Sequence, residues 1–260
     1  MTGEDRTYLS QAGDSQEVTS FARHVLGAVS IRPGQSRTKR RDAFAAWLAE
    51  FVVGITSYDE SLVLEELRRA RLNSDDLILY SLPQAANILG QRWTCSELGF
   101  AHVSLGSARL FGLCHSLSKK WSRATETDGG LSILLATVET EVHLIGPSVL
   151  AYRLRQMGHS VRAMTQASPE ELIAAMDVGR FHGLLLSSSQ VRSVKALADI
   201  VAQIKARACV QIPIVLGGSI LYEIDGLKDK TGVALTTNDI GTALGLIGQS
   251  AETALSRVAE

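Results

Sequence analysis

Residues 141–146 read Glu141-Val142-His143-Leu144-Ile145-Gly146. They stand between an apolar run, Leu131 to Ala136, and a helical pattern from Pro147 to Met157. The run reads as a buried strand. The proline sits near the helix start, where its missing N–H costs nothing. His143 therefore falls in a strand-to-helix loop, and in an open α/β sheet such loops lie at the carboxyl edge, where ligands bind. A carboxylate two residues before an imidazole can hold one ring nitrogen and leave the other for a metal. Glu141 and His143 are the first candidate pair on that ground.

Working outward, strands and helices alternate to the end of the chain. Strands are expected near 131–136, 160–164, 183–187, 213–216 and 233–235, and helices near 147–157, 168–178, 192–207, 219–225 and 239–257. Alternation with short loops predicts a parallel sheet covered on both faces. Five strands suggest the flavodoxin-like order 2-1-3-4-5. Ser187-Ser188-Ser189 closes the third strand, and at least one serine is expected to cap the next helix. Gly217-Gly218 closes the fourth as a tight strand exit. Thr236, Thr237 and Asn238 are expected to cap the last helix.

Upstream, Asp42 to about Ser122 is helical in pattern. Phe44, Trp47, Leu48, Phe51 and Val52 recur at helical spacing, and Leu62, Leu64, Leu67 and Leu72 form a second helix. Asn73-Ser74 before Asp75-Asp76 caps a third, with Pro83 as a kink or break. Thr94 and Glu97 read as a capping box opening a fourth helix, on which Val103, Leu110, Cys114, Leu117 and Trp121 share a face. The organisation expected is a mostly disordered arm over 1–41 with a short helix at Val18 to Val29, a four-helix bundle over 42–122, a linker over 123–130 and the α/β domain over 131–260. Arg37, Lys39, Arg40 and Arg41 read as a solvated lead-in to the bundle, with contact to nucleic acid or an acidic partner as the alternative.

The loop motif, together with Ser188 and Gly217-Gly218 downstream, resembles the signature of a known family. After Gly146 come the 41 residues 147–187, then Ser188; after Gln190 come the 26 residues 191–216, then Gly217-Gly218. This is similar to the pattern D-x-H-x-x-G, S-x-L, G-G of the base-off, His-on vitamin-B12-binding domains of methionine synthase, mutases and light sensors. Glu141 replaces the usual Asp, and Gln190 the usual Leu. The resemblance implies that His143 ligates cobalt in place of the cofactor's own benzimidazole, that Glu141 bonds the other imidazole nitrogen, and that Gly146 lets the backbone approach the corrin. It implies that Ser188 bonds the nucleotide base, and that Gly217, Gly218 and Thr237 adjoin the nucleotide tail. Gln190 would put a polar group beside that tail. Trp93 would cover the upper corrin face. Residues 94–102 end at His102, and Val103-Ser104 stand where cobalamin-binding bundles carry Glu-His.

Beyond the generic domain, Arg92-Trp93, the run Leu98 to Val103 and Ala108-Arg109-Leu110 resemble the cobalamin-binding antirepressors of purple-bacterial photosynthesis genes (AerR/PpaA type). That resemblance implies a light- or redox-responsive regulator, not an enzyme. It would carry adenosyl-, methyl- or hydroxocobalamin and bind a transcriptional repressor, with weak or no DNA contact of its own. Two other readings use the same fold: a corrinoid methyl carrier of a methyltransferase system, and a haem-binding sensor. His143→Ala is expected to weaken binding without unfolding, and Glu141→Gln to do less.

A formal charge of −1 over 260 residues argues against extensive nonspecific nucleic-acid binding. Three cysteines without a C-x-x-C pair suit a reducing compartment. No apolar run reaches membrane-spanning length, so a cytoplasmic protein is expected.

Overall fold

The computed structural model describes residues 36–54, 58–119, 130–206 and 212–258. The expected arm, apart from its last residues, together with most of the linker, Trp121 and Cys209, lies outside them. The chain divides into two compact units, residues 1–113 and 114–260.

The first unit is helical: α1 (Arg37–Val53), α2 (Glu60–Arg69), α3 (Ser74–Asp76) running through a π-turn (Leu77–Ser81) into α4 (Leu82–Thr94), and the start of α5 (Phe100–Lys119). Helix α1 begins at Arg37, capped by Ser36, so the basic cluster belongs to its first turns rather than to a lead-in. Phe44, Trp47, Leu48 and Val52 are buried as their spacing predicts. In α2 the core face is Val63 and Leu67, while Leu62 is exposed, because residues four apart share a helix face.

Pro83 does not break its helix. A proline ring in a regular helix collides with the carbonyl four residues back. Here the preceding turn is widened, and Leu82 N–H donates to Leu77 O, five residues back. Thr94 does not open a helix. It ends α4, its hydroxyl donating to Gln91 O. The chain leaves through Ser96 at φ 59°, with Ser96 N–H donating to Trp93 O and Glu97 N–H to Arg92 O. That is a left-handed helix stop, and it overrides the capping-box pattern.

Asp76 is buried and ties α1 to α3. Its oxygens accept from Arg37 Nε and Nη2 at 2.9 and 3.0 Å, from Arg41 Nε at 2.6 Å and from Asn73 N–H at 3.0 Å. Burial pushes this carboxyl up, but the two guanidinium groups and Asn73 outweigh it and hold it below its ordinary range. A carboxyl depressed in the folded state contributes stability that is present above its unfolded pKa, near 4, and is lost as pH falls through the folded value. Asp76→Asn is therefore expected to cost about 2 kcal/mol at neutral pH, less than a fully enclosed pair because Arg37 is half exposed. The difference from wild type should begin to shrink as acid unfolding scans pass below about pH 4 and vanish once Asp76 is protonated in the folded protein. A constant difference across the scan would remove Asp76 as the cause.

The second unit is a five-stranded parallel sheet: β1 (Ser132–Val138), β2 (Ser160–Ala167), β3 (Gly183–Ser187), β4 (Ile214–Gly217) and β5 (Leu235–Thr236), in the order 2-1-3-4-5. Alternate residues of the central strands feed two cores. Leu134, Ala136, Leu184, Leu186, Ile214 and Leu216 pack with α7 (Pro169–Val178), α8 (Val194–Ala206) and the short α9 (Leu227–Thr231). Ile133, Leu135, Leu185 and Val215 pack with α6 (Ile145–Gln156) and α10 (Ile240–Val258). Burial on both faces explains why the strands read as continuous apolar runs. The order reverses at β1, and His143 is placed in the loop that leaves this strand's carboxyl end.

Candidate functional site

Glu141 is the hub. It is 1% exposed, and both carboxylate oxygens are surrounded by donors. Oε1 accepts from Val142 N–H (3.0 Å), His143 N–H (2.9 Å) and Ser189 Oγ (2.8 Å), and lies 2.9 Å from His143 Nδ1. Oε2 accepts from Ser189 N–H (2.6 Å) and Ser188 Oγ (3.2 Å). Burial alone would raise this carboxyl; the hydrogen bonds from His143 and Ser189 prevail and hold it down to about 2. It is an anion at neutral pH.

That charge sets the imidazole. Nδ1 must carry the hydrogen that faces Glu141, so in the neutral ring Nε2 is the bare nitrogen. Ser189 gives its own hydrogen to Glu141, so its Oγ, 2.7 Å from Nδ1, shares the same N–H. The His143 side chain is 66% exposed, and among the described residues Nε2 has no partner. The bond to Glu141 raises the His143 pKa above its ordinary value, against opposing effects of burial and of the Arg192 charge. Protons and a metal compete for Nε2, so acid weakens ligation. The trio is not a nucleophile triad, because serine and carboxylate address the same ring nitrogen rather than opposite ones.

The remaining candidates divide. Ser188 is 2% exposed, and its hydroxyl is committed to Glu141 rather than held out for a base. Ser189, to which the sequence assigns no specific role, makes more of the contacts. The serines do not cap the next helix through a side chain; Gln190 precedes it, and Ser188 Oγ accepts only a long 3.4 Å bond from Gln190 N–H. Gln190 Oε1 accepts from Arg192 Nε, and its Nε2 lies 3.4 Å from His143 Nδ1, covering the ring edge.

Gly217, Gly218 and Thr237 border a cavity of about 80 Å³ between the ends of β3 to β5 and helices α6 and α10, otherwise lined by leucines, Val215 and neighbouring residues. Asn238 clamps Gly218 from both sides, accepting its N–H at 2.7 Å and donating to its carbonyl at 3.2 Å. The cap of α10 is Asp239, which accepts from Thr242 N–H at 2.6 Å, not the Thr236–Asn238 run. Trp93 belongs to the helical unit, half exposed on the last turn of α4. His102 lies in the first turn of α5.

Glu141→Gln is a larger change than the sequence suggested. Whichever way the amide is placed, its NH₂ meets a backbone N–H: that of Ser189 on one side, or those of Val142 and His143 on the other. A buried donor facing a donor costs about 1–3 kcal/mol, so Glu141→Gln is expected to lower unfolding stability by roughly that amount, read from denaturant midpoints. An unchanged midpoint would mean the cluster is loosely held.

Among the described residues no three His, Cys, Asp or Glu side chains gather as a bare-ion site. A lone exposed imidazole with its far nitrogen fixed suits a metal whose other positions a macrocycle fills. Val142, next to His143 in the chain, and Val191, which opens the helical turn after Gln190, are exposed apolar side chains that suit a flat apolar ligand. A Cβ built on Gly146 meets nothing within 4 Å, so the chain's own packing does not require glycine there. The donor set and the open surface fit such a group.

Fold and loop together define a doubly wound α/β unit presenting one exposed histidine at its switch point, preceded by a helical unit. The monomethylamine corrinoid protein of Methanosarcina barkeri shares this fold: TM-score 0.61 at 15% identity, covering 85% of this chain and 99% of that one. A cobalamin-binding protein from Desulfitobacterium hafniense DCB-2 aligns at TM-score 0.42 and 15% identity, covering 81% and 98%. No protein-family model matches the chain. In sequence it is 26% identical over 184 residues to an uncharacterized 20.5 kDa protein from the bchF-crtJ intergenic region of Rhodobacter capsulatus, spanning 70% of this chain and 96% of that protein. No helix among the described residues is long and apolar enough to cross a membrane.

Proposed function

We propose that this chain binds a cobalamin through His143 Nε2 and acts as a regulator rather than an enzyme. The observation that carries it is the imidazole itself, exposed, with Nδ1 locked by a buried carboxylate and Nε2 bare. Glu141 and Ser189 orient the ring, Gly146 leaves room at the helix start, and the cavity beside Gly217, Gly218 and Thr237 takes the nucleotide tail. When bound, the corrinoid would supply a cobalt–carbon bond that visible light breaks. The output is binding of a transcriptional repressor in the cytoplasm, with little DNA contact by this chain. The resemblance to photosynthesis-gene antirepressors and the relative from the bchF-crtJ region support that output; the fold shared with a corrinoid protein supports the cofactor.

The test is the absorption spectrum of protein loaded in the cell, then titration with hydroxocobalamin in dark and light. A corrinoid spectrum and uptake of a single cobalamin per chain are expected. A haem spectrum would replace the cofactor, and no uptake of any cobalamin form would end the reading. The fold shared with a methylamine corrinoid protein keeps the methyl carrier as the second reading. Methyl transfer to a partner methyltransferase, with no light-dependent binding of a repressor, would select it.

Gly146→Ala separates ligand contact from folding. Alanine is favoured over glycine in a helix by about 1 kcal/mol, and nothing here obstructs its methyl group. Thermal stability should hold or rise while cobalamin affinity falls. Unchanged affinity would place Gly146 away from the ligand.

A further inference from the structure

The loop carrying His143, residues 139–144, is fastened to the segment after β3 at both its ends. Toward His143 the ties are Glu141 and the imidazole, bonded to Ser188 and Ser189. Toward β1 there is a second, separate set. Thr140 Oγ1 and Ser193 Oγ lie 2.9 Å apart, and Arg192 Nη2 approaches Thr140 O at 3.5 Å while its Nε donates to Gln190 Oε1. Ser193 has no exposed surface, so without Thr140 its hydroxyl would be a buried polar group without this partner. Thr140 is exposed and has no packing reason to be fixed, yet its hydroxyl and carbonyl both point at the neighbouring segment.

We propose that Thr140 and Ser193 are positioning residues that hold the His143 loop in its ligand-presenting shape before any cofactor arrives. This rests on the reading of His143 as the ligand. Ordering a free loop costs about 1–2 kcal/mol per residue in backbone entropy, and a loop ordered on binding charges that cost to affinity and to the association rate. A loop fastened at both ends has met it on folding. The clamp acts through His143 and touches no ligand itself.

The test uses the full chain and two substitutions at one exposed site. Thr140→Val removes the hydroxyl and keeps the shape; Thr140→Ser keeps the hydroxyl. The first readout is hydrogen exchange of the Val142 and His143 amides in cofactor-free protein, since both donate to Glu141. The second is the rate of hydroxocobalamin association by stopped flow. Wild type should show protected amides. Thr140→Val should exchange roughly five- to tenfold faster, the equivalent of one hydrogen bond, and associate more slowly, with the dissociation rate and final spectrum unchanged. Thr140→Ser should behave as wild type. Unprotected amides in wild type, or a Thr140→Val protein with wild-type exchange, would overturn the clamp. Protection that depends on Thr140 in a protein taking up no cobalamin would support the clamp and overturn the cofactor reading instead.

Discussion

Replacing His143 by alanine is expected to lower cobalamin affinity by about a hundredfold, or roughly 2.7 kcal/mol, with almost no change in folding stability. The two halves of that result have separate causes. Affinity falls because Nε2 is the only protein nitrogen presented by the loop. Stability holds because the side chain is largely in water and because Glu141 keeps its other donors: the backbone N–H groups of residues 142, 143 and 189 and the hydroxyls of Ser188 and Ser189. The bound spectrum should move towards a form with water or no base beneath the cobalt. Spectral titration and a thermal scan on the same preparation measure both. A His143→Ala protein with native affinity and spectrum would sink the ligand assignment and leave the loop as a helix lead-in.

The largest loss of stability is expected from Gly218→Ala. Gly218 sits at φ 107°, ψ 175°, a region essentially closed to residues with a Cβ. A methyl group there would stand 2.1 Å from Ser188 O and 2.9 Å from Ser188 N and C. Those are backbone atoms, held by the Ser188 N–H bond to Gly217 O and the Ile220 N–H bond to Ser188 O, so they cannot swing aside. Strain and collision together give a cost of about 4 kcal/mol. The damage reaches the site, because Ser188 and Ser189 are the groups that hold Glu141. Gly217→Ala is the control: its φ is not positive and its Cβ would touch Thr237 O at 3.0 Å, a milder conflict. Denaturant unfolding that finds Gly218→Ala no worse than Gly217→Ala would refute this account of the strand exit.

The sequence alone determined the sheet, its order and the place of His143. Those rest on short-range regularities: apolar runs buried on both faces, the alternation of strand and helix, and a proline at a helix start. Chain connectivity then forces the loop after β1 to the carboxyl edge. What the tertiary structure decided is which polar groups meet. Glu141 finds Ser188 and Ser189 across 47 and 48 residues, and nothing local in the triple serine says which one faces the carboxylate. The same gap explains the errors. Thr94 and Glu97 match a capping box letter for letter, but Ser96 takes a left-handed conformation and the helix ends there. Thr237 is a good cap by type, but Asp239 stands directly before α10, beside its first free N–H groups. Gln in place of Glu141 looks mild when only the imidazole is counted, and severe once both oxygens are seen to be filled by donors from a distant loop. Periodicity reports which way a side chain faces, because that depends on the residue's own backbone. Hydrogen-bond partners depend on strands that the fold brings together, and their identity is fixed only when it closes.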